Sequence, residues 1–436
     1  MLNVLGNRTF RHLFAAQVIA LLGTGLATVA LGLLAWQLAG DNAGLVLGTA
    51  LAIKMIAYVT LAPVAAAFAE RLPRRAFLVT LDLIRAGVVL FLLFVTEVWQ
   101  IYVLIFFLQA ASAGFTPAFQ ATVPDVLPDE KDYTNALSLL RLAEDLEQLL
   151  SPILAAALLT VVSFPVLFGG TVAGFIGSAL LVVTVTLPSQ KITEPGHFWA
   201  STTKGIRICL ATPRLRGLMV MELAAAAAGA MIYVNTVVLV QARLQLGAPQ
   251  VALAFAAFGA GSIVAAFLLP RILARVADRP VMITGAGLMV AGIAITPLVT
   301  GLSGLMVLWA LIGFGFSFTQ TPIGRILNRS ARNKDRPAVF AAQFAMSHAA
   351  WLVTYPLAGW LGSAFSLTVA AYGLAALGAA TMVAVIRLWP ADDPVEVTHD
   401  HPDLPAGHPH LSEHAENHRH ALVIDGLHQR WPARRA

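Results

Sequence analysis

Twelve stretches of about twenty or more mostly apolar residues follow one another along this chain, and that is the length an α-helix needs to cross the hydrocarbon core of a bilayer. They fall at 13–38, 44–69, 76–96, 99–122, 134–161, 164–187, 215–241, 250–273, 280–300, 303–325, 337–361 and 365–388. Backbone inside lipid must satisfy its own hydrogen bonds, so such runs form helices. The expected fold class is an all-α membrane protein with twelve transmembrane helices. Charged residues make up 12% of the 436, against about 25% in soluble domains. The single cysteine, Cys209, excludes an internal disulfide framework and any cysteine-rich metal site.

An even number of spans puts both termini on one side. With twelve, Arg8, Arg11, Arg71, Arg74, Arg75, Lys131, Lys191, Lys204, Arg207, Arg214, Arg216, Arg271, Arg275, Arg279, Arg325, Arg329, Arg332, Lys334, Arg336 and Arg387 share that side, and the opposite loops hold only Arg243. Lysine and arginine mark the cytoplasmic side, so both termini are expected in the cytoplasm. The start of the chain lacks a small-residue cleavage site after a short apolar region, which predicts no cleaved signal peptide. The net charge of +5 belongs to these topology signals and not to nucleic-acid binding.

The chain divides and repeats. A polar connection at 188–213 separates a bundle at 1–187 from one at 214–389, and a tail follows at 390–436. FTPAFQATVPDVLPDEKDYTNAL from Phe115 is echoed by FTQTPIGRILNRSARNKDRPAVF from Phe318, and AERLPRR at Ala69–Arg75 by ADRP at Ala277–Pro280. Parallel six-helix repeats place a substrate site between the halves near mid-membrane.

AAFAERLPRR at Ala66–Arg75 resembles the loop signature of the major facilitator superfamily, G-x-x-x-D-R-x-G-R-R. It departs from it with Ala66 for the first Gly, Glu70 for Asp and Pro73 for the second Gly. Asn7–Phe10 followed by LFAAQVIALLGTGL, LAGDNAGLVLG and FTPAFQATVPDVLP is similar to the branch of siderophore and macrolide exporters. AIKMIAYVTLAPVAAAFAERLPRR, TPIGRILNRSA, FAAQFAMSHAAWLVTYPLAGWLG and the histidine-rich tail resemble nickel-resistance exporters of the NreB type. The resemblance runs over nearly the whole chain. It implies a cytoplasmic gate built from Glu70, Arg71 and Arg75, to which Arg325 at the close of the tenth span is added through the repeat. It implies nickel as cargo and the inner membrane of a bacterium as location.

The tail holds eight of the eleven histidines: His399, His401, His408, His410, His414, His418, His420 and His428, with Asp400, Asp403, Glu413 and Glu416 between them. Imidazoles at this density suit nickel, cobalt, zinc and copper in their divalent states. Its polar, proline-rich composition cannot bury a core and predicts a flexible segment that collects metal.

The most charged membrane stretch is Thr134–Pro152, with Arg141, Glu144, Asp145 and Glu147 within seven residues. Each charge at bilayer depth costs about 2.5–3.5 kcal/mol, so such groups pair, line a wet path or bind something. Glu144 lies ten residues into its span, about 15 Å along a helix. Placing Pro152 on Pro356 gives an offset of 204, which maps Glu144 onto His348, Glu147 onto Trp351 and Ser151 onto Tyr355. A carboxylate and an imidazole facing one cavity suit a divalent metal or a proton relay. Glu144 as a partner of Arg141, and His348 bonded to a helix carbonyl, are the structural alternatives. Which of Glu144 and Glu147 faces the cavity is left open by the spacing. Glu222 and Asn235 are further cavity candidates. Asp82 and Arg85 are spaced to pair with each other, Lys54 sits deep in the second span with a stem long enough to snorkel, and His12 is placed at the interface.

No phosphate-binding loop, metalloprotease motif or nucleophile elbow is present, so ATP hydrolysis and enzyme chemistry have nothing to rest on. The reading is proton-coupled efflux of a divalent transition metal by a monomer. A metal ion, protons and the bilayer are its partners, with no resident cofactor and no nucleic acid. Export of a siderophore or drug, and a transporter-like metal sensor, are the competing readings.

Overall fold

The computed structural model describes residues 2–69, 73–187, 198–332, 335–393, 396–400, 417–421, 423, 424, 428 and 431. Its helices are α1 (Arg8–Ala39), α2 (Ala43–Ala69), α3 (Arg74–Phe91), α4 (Val98–Val126), α5 (Glu130–Leu158), α6 (Pro165–Val183), α7 (Phe198–Ala211), α8 (Pro213–Val238), α9 (Ala248–Leu273), α10 (Asp278–Ile295), α11 (Leu302–Gln320), α12 (Ile323–Ser330), α13 (Arg336–Ala364) and α14 (Leu367–Leu388). Two short strands, β1 (Glu396–Asp400) and β2 (Asn417–Ala421), pair antiparallel. Twelve of the helices are of membrane length. Nine stretches among the described residues qualify on apolar composition as well, and the first of these, Arg8–Tyr58, takes in α1 and most of α2. Phe91, Phe94, Phe107, Phe267 and Val307 point outward as part of an apolar belt that suits lipid.

Helix ends are written locally. Asn7 accepts a hydrogen bond from the Phe10 amide at 3.0 Å, Asp129 from Asp132 and Ser366 from Val369, each satisfying an amide that has no partner inside the helix. Glu97 and Gln100 close a capping box on α4. Pro165 and Pro213 open α6 and α8, where a missing N–H costs nothing.

The two halves repeat the same packing. In the first, α1 packs on α5 and α6, α3 on α4 and α6, and α2 on α4. In the second, α8 packs on α13 and α14, α10 on α11 and α14, and α9 on α11. Between the halves α2 lies on α13 and, as its symmetric counterpart, α5 lies on α9. A parallel repeat about an axis along the membrane normal produces this pairing.

Two expectations change. The polar connection at 188–213 contains α7, held to α13 by the Lys204–Asp335 ion pair. α7 lies so close that a Cβ at Gly205 would come within 1.9 Å of the Ala338 carbonyl oxygen. The tenth span, read to Arg325, breaks at Thr321–Pro322 into α11 and α12, because a proline after a helical run favours a boundary before it.

Candidate functional site

Between the halves lies a cavity of about 350 Å³, within the size range of small-ligand sites. Its first-half wall includes Thr24, Thr28, Val29, Leu51, Lys54, Gln109 and Glu147. Its second-half wall is aromatic: Tyr233, Phe255, Phe258, Phe316, Trp351 and Tyr355. The rings touch in sequence, with centroids 6.1 Å apart for Tyr233–Phe258, 5.7 Å for Phe258–Phe316, 6.4 Å for Phe316–Trp351 and 4.9 Å for Trp351–Tyr355.

The repeat organises these walls. Adding 204 to Val29, Leu51, Lys54 and Glu147 gives Tyr233, Phe255, Phe258 and Trp351, and both members of all four pairs line the cavity. The seats repeat too. A Cβ at Gly25 would fall 2.1 Å from Ser151 Cβ and 2.6 Å from Glu147 Oε1, so α5 lays Glu147 directly over α1. Its counterpart Gly229 does the same for Trp351, whose ring a Cβ would meet at 2.1 Å. Glycine is required at both places by close approach.

Glu147 is therefore the described acid of α5 that faces the cavity, and its charge acts on Lys54. The side chains of Arg141, Glu144 and Asp145 lie outside the described residues. Lys54 is a cavity residue rather than a snorkelling one. The long stem reaches the interface only if the side chain faces lipid, and this one faces inward.

The remaining candidates go elsewhere. His348 does not line the cavity; it takes the structural alternative, with its Nδ1 donating to the Phe344 carbonyl at 2.8 Å and its ring stacked on Phe344 and Tyr58. Residues three apart on α13 diverge here because Trp351, seated by Gly229, fills the inward direction. Glu222 is buried within the second half, where Gln343 donates to it at 3.1 Å, and does not reach the cavity. Asn235 donates to the Ala358 carbonyl at 3.3 Å and also lies away from it. Asp82 and Arg85 pair as expected. Ser178 donates to Asp82 at 2.7 Å, and the guanidinium lies 3.9 Å from the Phe115 ring centre. His12 Nδ1 bonds the Thr184 hydroxyl at 2.7 Å.

Toward the end of the cavity away from the termini, α2 and α13 approach closely at glycines. A Cβ at Gly48 would meet the Tyr355 carbonyl oxygen at 2.4 Å, and one at Gly359 the Gly44 carbonyl oxygen at 2.3 Å.

At the termini side each half carries an ion-pair latch. Of the expected gate, Glu70 and Arg71 lie outside the described residues, and Arg75 is exposed in the first turn of α3. Arg74 instead pairs with Asp125 of α4. Adding 204 gives Asp278 and Arg329, which form the same contact with the charges exchanged, at 3.7 Å. Arg325 pairs with Asp278 at 2.6 Å, so it braces the second half internally and does not bridge to the first. Matching the loops by like residues misses this because the partners swap sign.

The tail, expected as flexible, is anchored at both ends of its described part. Asp393 receives Arg214 at 3.2 Å and Arg329 at 2.5 Å, and Trp431 lies under the Arg214 guanidinium at 5.0 Å. Arg214 is buried, and a buried cation demands such partners. Ile424 and His428 are buried as well. The strand register sets His399 opposite His418 and Val397 opposite His420. His401, His408, His410 and His414 lie outside the described residues. Cys209 is buried on α7, and burial pushes its thiol up to about 12, so it keeps its proton at neutral pH.

A family model described as Major Facilitator Superfamily matches residues 13–242 and again 218–413. An uncharacterized MFS-type transporter of Bacillus subtilis (strain 168), YfiS, is 27% identical over 197 residues. That match covers 44% of this chain and 46% of the relative, so it spans about half the length of each. The crystal structure of the nucleoside transporter NupG superposes with a TM-score of 0.68 at 13% identity, over 87% of this chain and 98% of that one. A bacterial homologue of the human lysosomal transporter Spinster, inward-facing and occupied, gives 0.65 at 14%, over 87% and 94%. A bacterial metal transporter gives 0.63 at 14%, over 87% and 98%. At these identities the likeness is one of fold.

Proposed function

Because this chain belongs to the major facilitator superfamily, and is thus a multi-pass secondary transporter and not an enzyme, we propose that it exports a divalent transition metal, nickel foremost, in exchange for protons. The observation that carries this reading is the tail: eight histidines within 38 residues, rooted by Asp393 on Arg214 and Arg329, the latter also paired with Asp278. Histidine nitrogen suits nickel, cobalt and zinc. A bacterial metal transporter shares the fold. The location proposed is a bacterial inner membrane with both termini cytoplasmic, consistent with the clustering of lysine and arginine. The tail then gathers cytosolic metal, and the cavity carries it outward.

Glu147 is the group that exchanges metal for protons. It faces the cavity, it lies mid-span, and an intramembrane acid at such a place is functional by default. Glu144 and Asp145, within one turn on the same helix, are the acids that can hand protons to it. Glu70, Arg71 and Arg75 belong to the termini-side gate, together with the Arg74–Asp125 and Asp278–Arg329 pairs. His348 and Glu222 serve packing. A second reading, export of an organic compound, is favoured by one observation, the aromatic second-half wall.

Growth of metal-sensitive cells on graded nickel, cobalt and zinc tests this. Wild type should raise tolerance, Glu147→Gln should lose it at equal membrane abundance, and His348→Ala should keep it. No protection by wild type against any of the three metals sinks the metal reading. Protection retained by Glu147→Gln removes Glu147 from the exchange.

A further inference from the structure

A bare divalent ion and the described lining of this cavity are poorly matched. Such an ion wants several oxygen or nitrogen donors close around it. Among the described lining residues Glu147 is the sole carboxylate, and no histidine or cysteine lines the space. Among the described residues generally, no group of three His, Cys, Asp or Glu stands close enough to hold a metal. His348 is turned to the Phe344 carbonyl and to its ring.

The groups that are present ask for something else. Lys54 brings an amine into the same space as Glu147, so the described wall holds one base beside one acid. An ammonium repels a bare dication and attracts a carboxylate. Facing it, Tyr233, Phe258, Phe316 and Trp351 form one continuous aromatic surface. Aromatic faces pack well on planar or apolar organic groups. They cannot replace the hydrogen bonds of a hydrated ion, whose water shell would be stranded against them. A volume of about 350 Å³ also exceeds what one ion needs and suits a small organic molecule.

Resting on the reading of this protein as a metal exporter, we propose that the metal occupies the cavity already wrapped by a small amino-carboxylate ligand. A carboxylate of the complex faces Lys54, and its organic face lies on the Trp351–Phe316–Phe258 wall. The ligand supplies donors beyond those of the described wall and lowers the charge that must cross. Glu147 then carries the exchanging proton, since the ligand's amine is deprotonated while it holds the metal. The tail and the cavity thus do different jobs: the first concentrates metal, the second recognises the complex.

The full-length protein in liposomes, with an imposed pH gradient, tests this. Labelled nickel is supplied alone in a non-coordinating buffer, with excess L-histidine, or with citrate, and labelled L-histidine is supplied without metal. The expected result is joint accumulation of nickel and histidine in a fixed ratio, with nickel alone slower by about tenfold or more, the size of a lost charged contact. Lys54→Met should lower uptake of the complex by about the same factor, while Lys54→Arg keeps much of it. Nickel crossing equally well alone, with no histidine following, overturns this proposal and leaves metal export standing. Histidine crossing without metal, and nickel not at all, overturns both and favours organic export. Flux of neither, from protein that still binds nickel through its tail, also overturns both. The wild-type comparison needs no variant, so it decides the matter even where a Lys54 substitution fails to fold.

Discussion

Where the first half offers the cavity Val29, Leu51, Lys54 and Glu147, the second offers Tyr233, Phe255, Phe258 and Trp351 from the same positions of its repeat. The helices, the glycine seats at Gly25 and Gly229, and the pairing of neighbours are shared. What differs is the chemistry mounted on them. Among the described lining residues one half carries the acid and the amine and the other the aromatic surface, so the cavity presents an ionic face opposite a stacking face. Deeper in the bundle the contrast recurs. Asp82 and Arg85 form a buried ion pair in the first half, and their counterparts Ala286 and Met289 are buried and apolar in the second. The repeat keeps its helix packing and diverges in the side chains mounted on it.

The contrast between the halves is most exposed to test at Glu147. Glu147→Gln should cut proton-driven transport in vesicles by about 100-fold or more, the lower range for loss of a proton-transfer group, while Trp351→Phe should stay within a few-fold of wild type. Equal losses in the two variants would mean that the halves are not divided between charge and stacking. Next is the buried pair. Arg85→Ala strands Asp82 and should destabilise the detergent-solubilised protein by about 3–5 kcal/mol. The double variant Asp82→Ala with Arg85→Met, which copies the second half, should recover most of that; thermal unfolding followed by fluorescence measures both. If the copied pair is as damaging as Arg85→Ala alone, the ion pair has a role beyond packing.

The seats come third. Gly25→Ala and Gly229→Ala each force α1 from α5 or α8 from α13, and overpacking of this kind costs about 1–3 kcal/mol. Gly25→Ala should also lower transport more than Gly229→Ala does, because it moves Glu147; kinetics at matched stability distinguish the two. The smallest effect belongs to the latches. Arg74→Asp should cost about 1 kcal/mol or less, as Asp125 is partly exposed, and adding Asp125→Arg should restore it by giving the first half the charge order of the second. Failure of the double variant to recover in a melting assay would show that the sign of the pair is fixed by something outside it.

Much of this is legible in the sequence, for identifiable reasons. The spans are visible because bilayer thickness imposes a length, and the repeat is visible because Pro152 and Pro356 interrupt equivalent helices. That single correspondence sets Glu147 opposite Trp351. It does not separate Glu144 from Glu147, since both lie on one side of α5; only the position of Gly25 on a neighbouring helix favours Glu147. Lys54 is easily passed over because a lone lysine in an apolar run looks the same whether it faces lipid or a cavity. His348 invites too much weight for the converse reason, as its bond to Phe344 depends on local helix geometry. α7 is hidden by the polar composition of its surroundings, and the strand pairing of the tail by the prolines around it. The sign exchange between Arg74–Asp125 and Asp278–Arg329 is invisible to any comparison that looks for like residues at like positions.

Arg214 holds Asp393 on one side and Trp431 on the other, and all eight of the tail's histidines fall between those two residues in the sequence. Two anchors on one arginine hold the chain between them near the end of the bundle that carries Arg214, where local concentrations on the order of millimolar are usual for short tethers. If the tail gathers metal as proposed, modest affinity per histidine pair is enough, and modest affinity also means fast release. A tight chelator in the same place would hold its metal and starve a carrier.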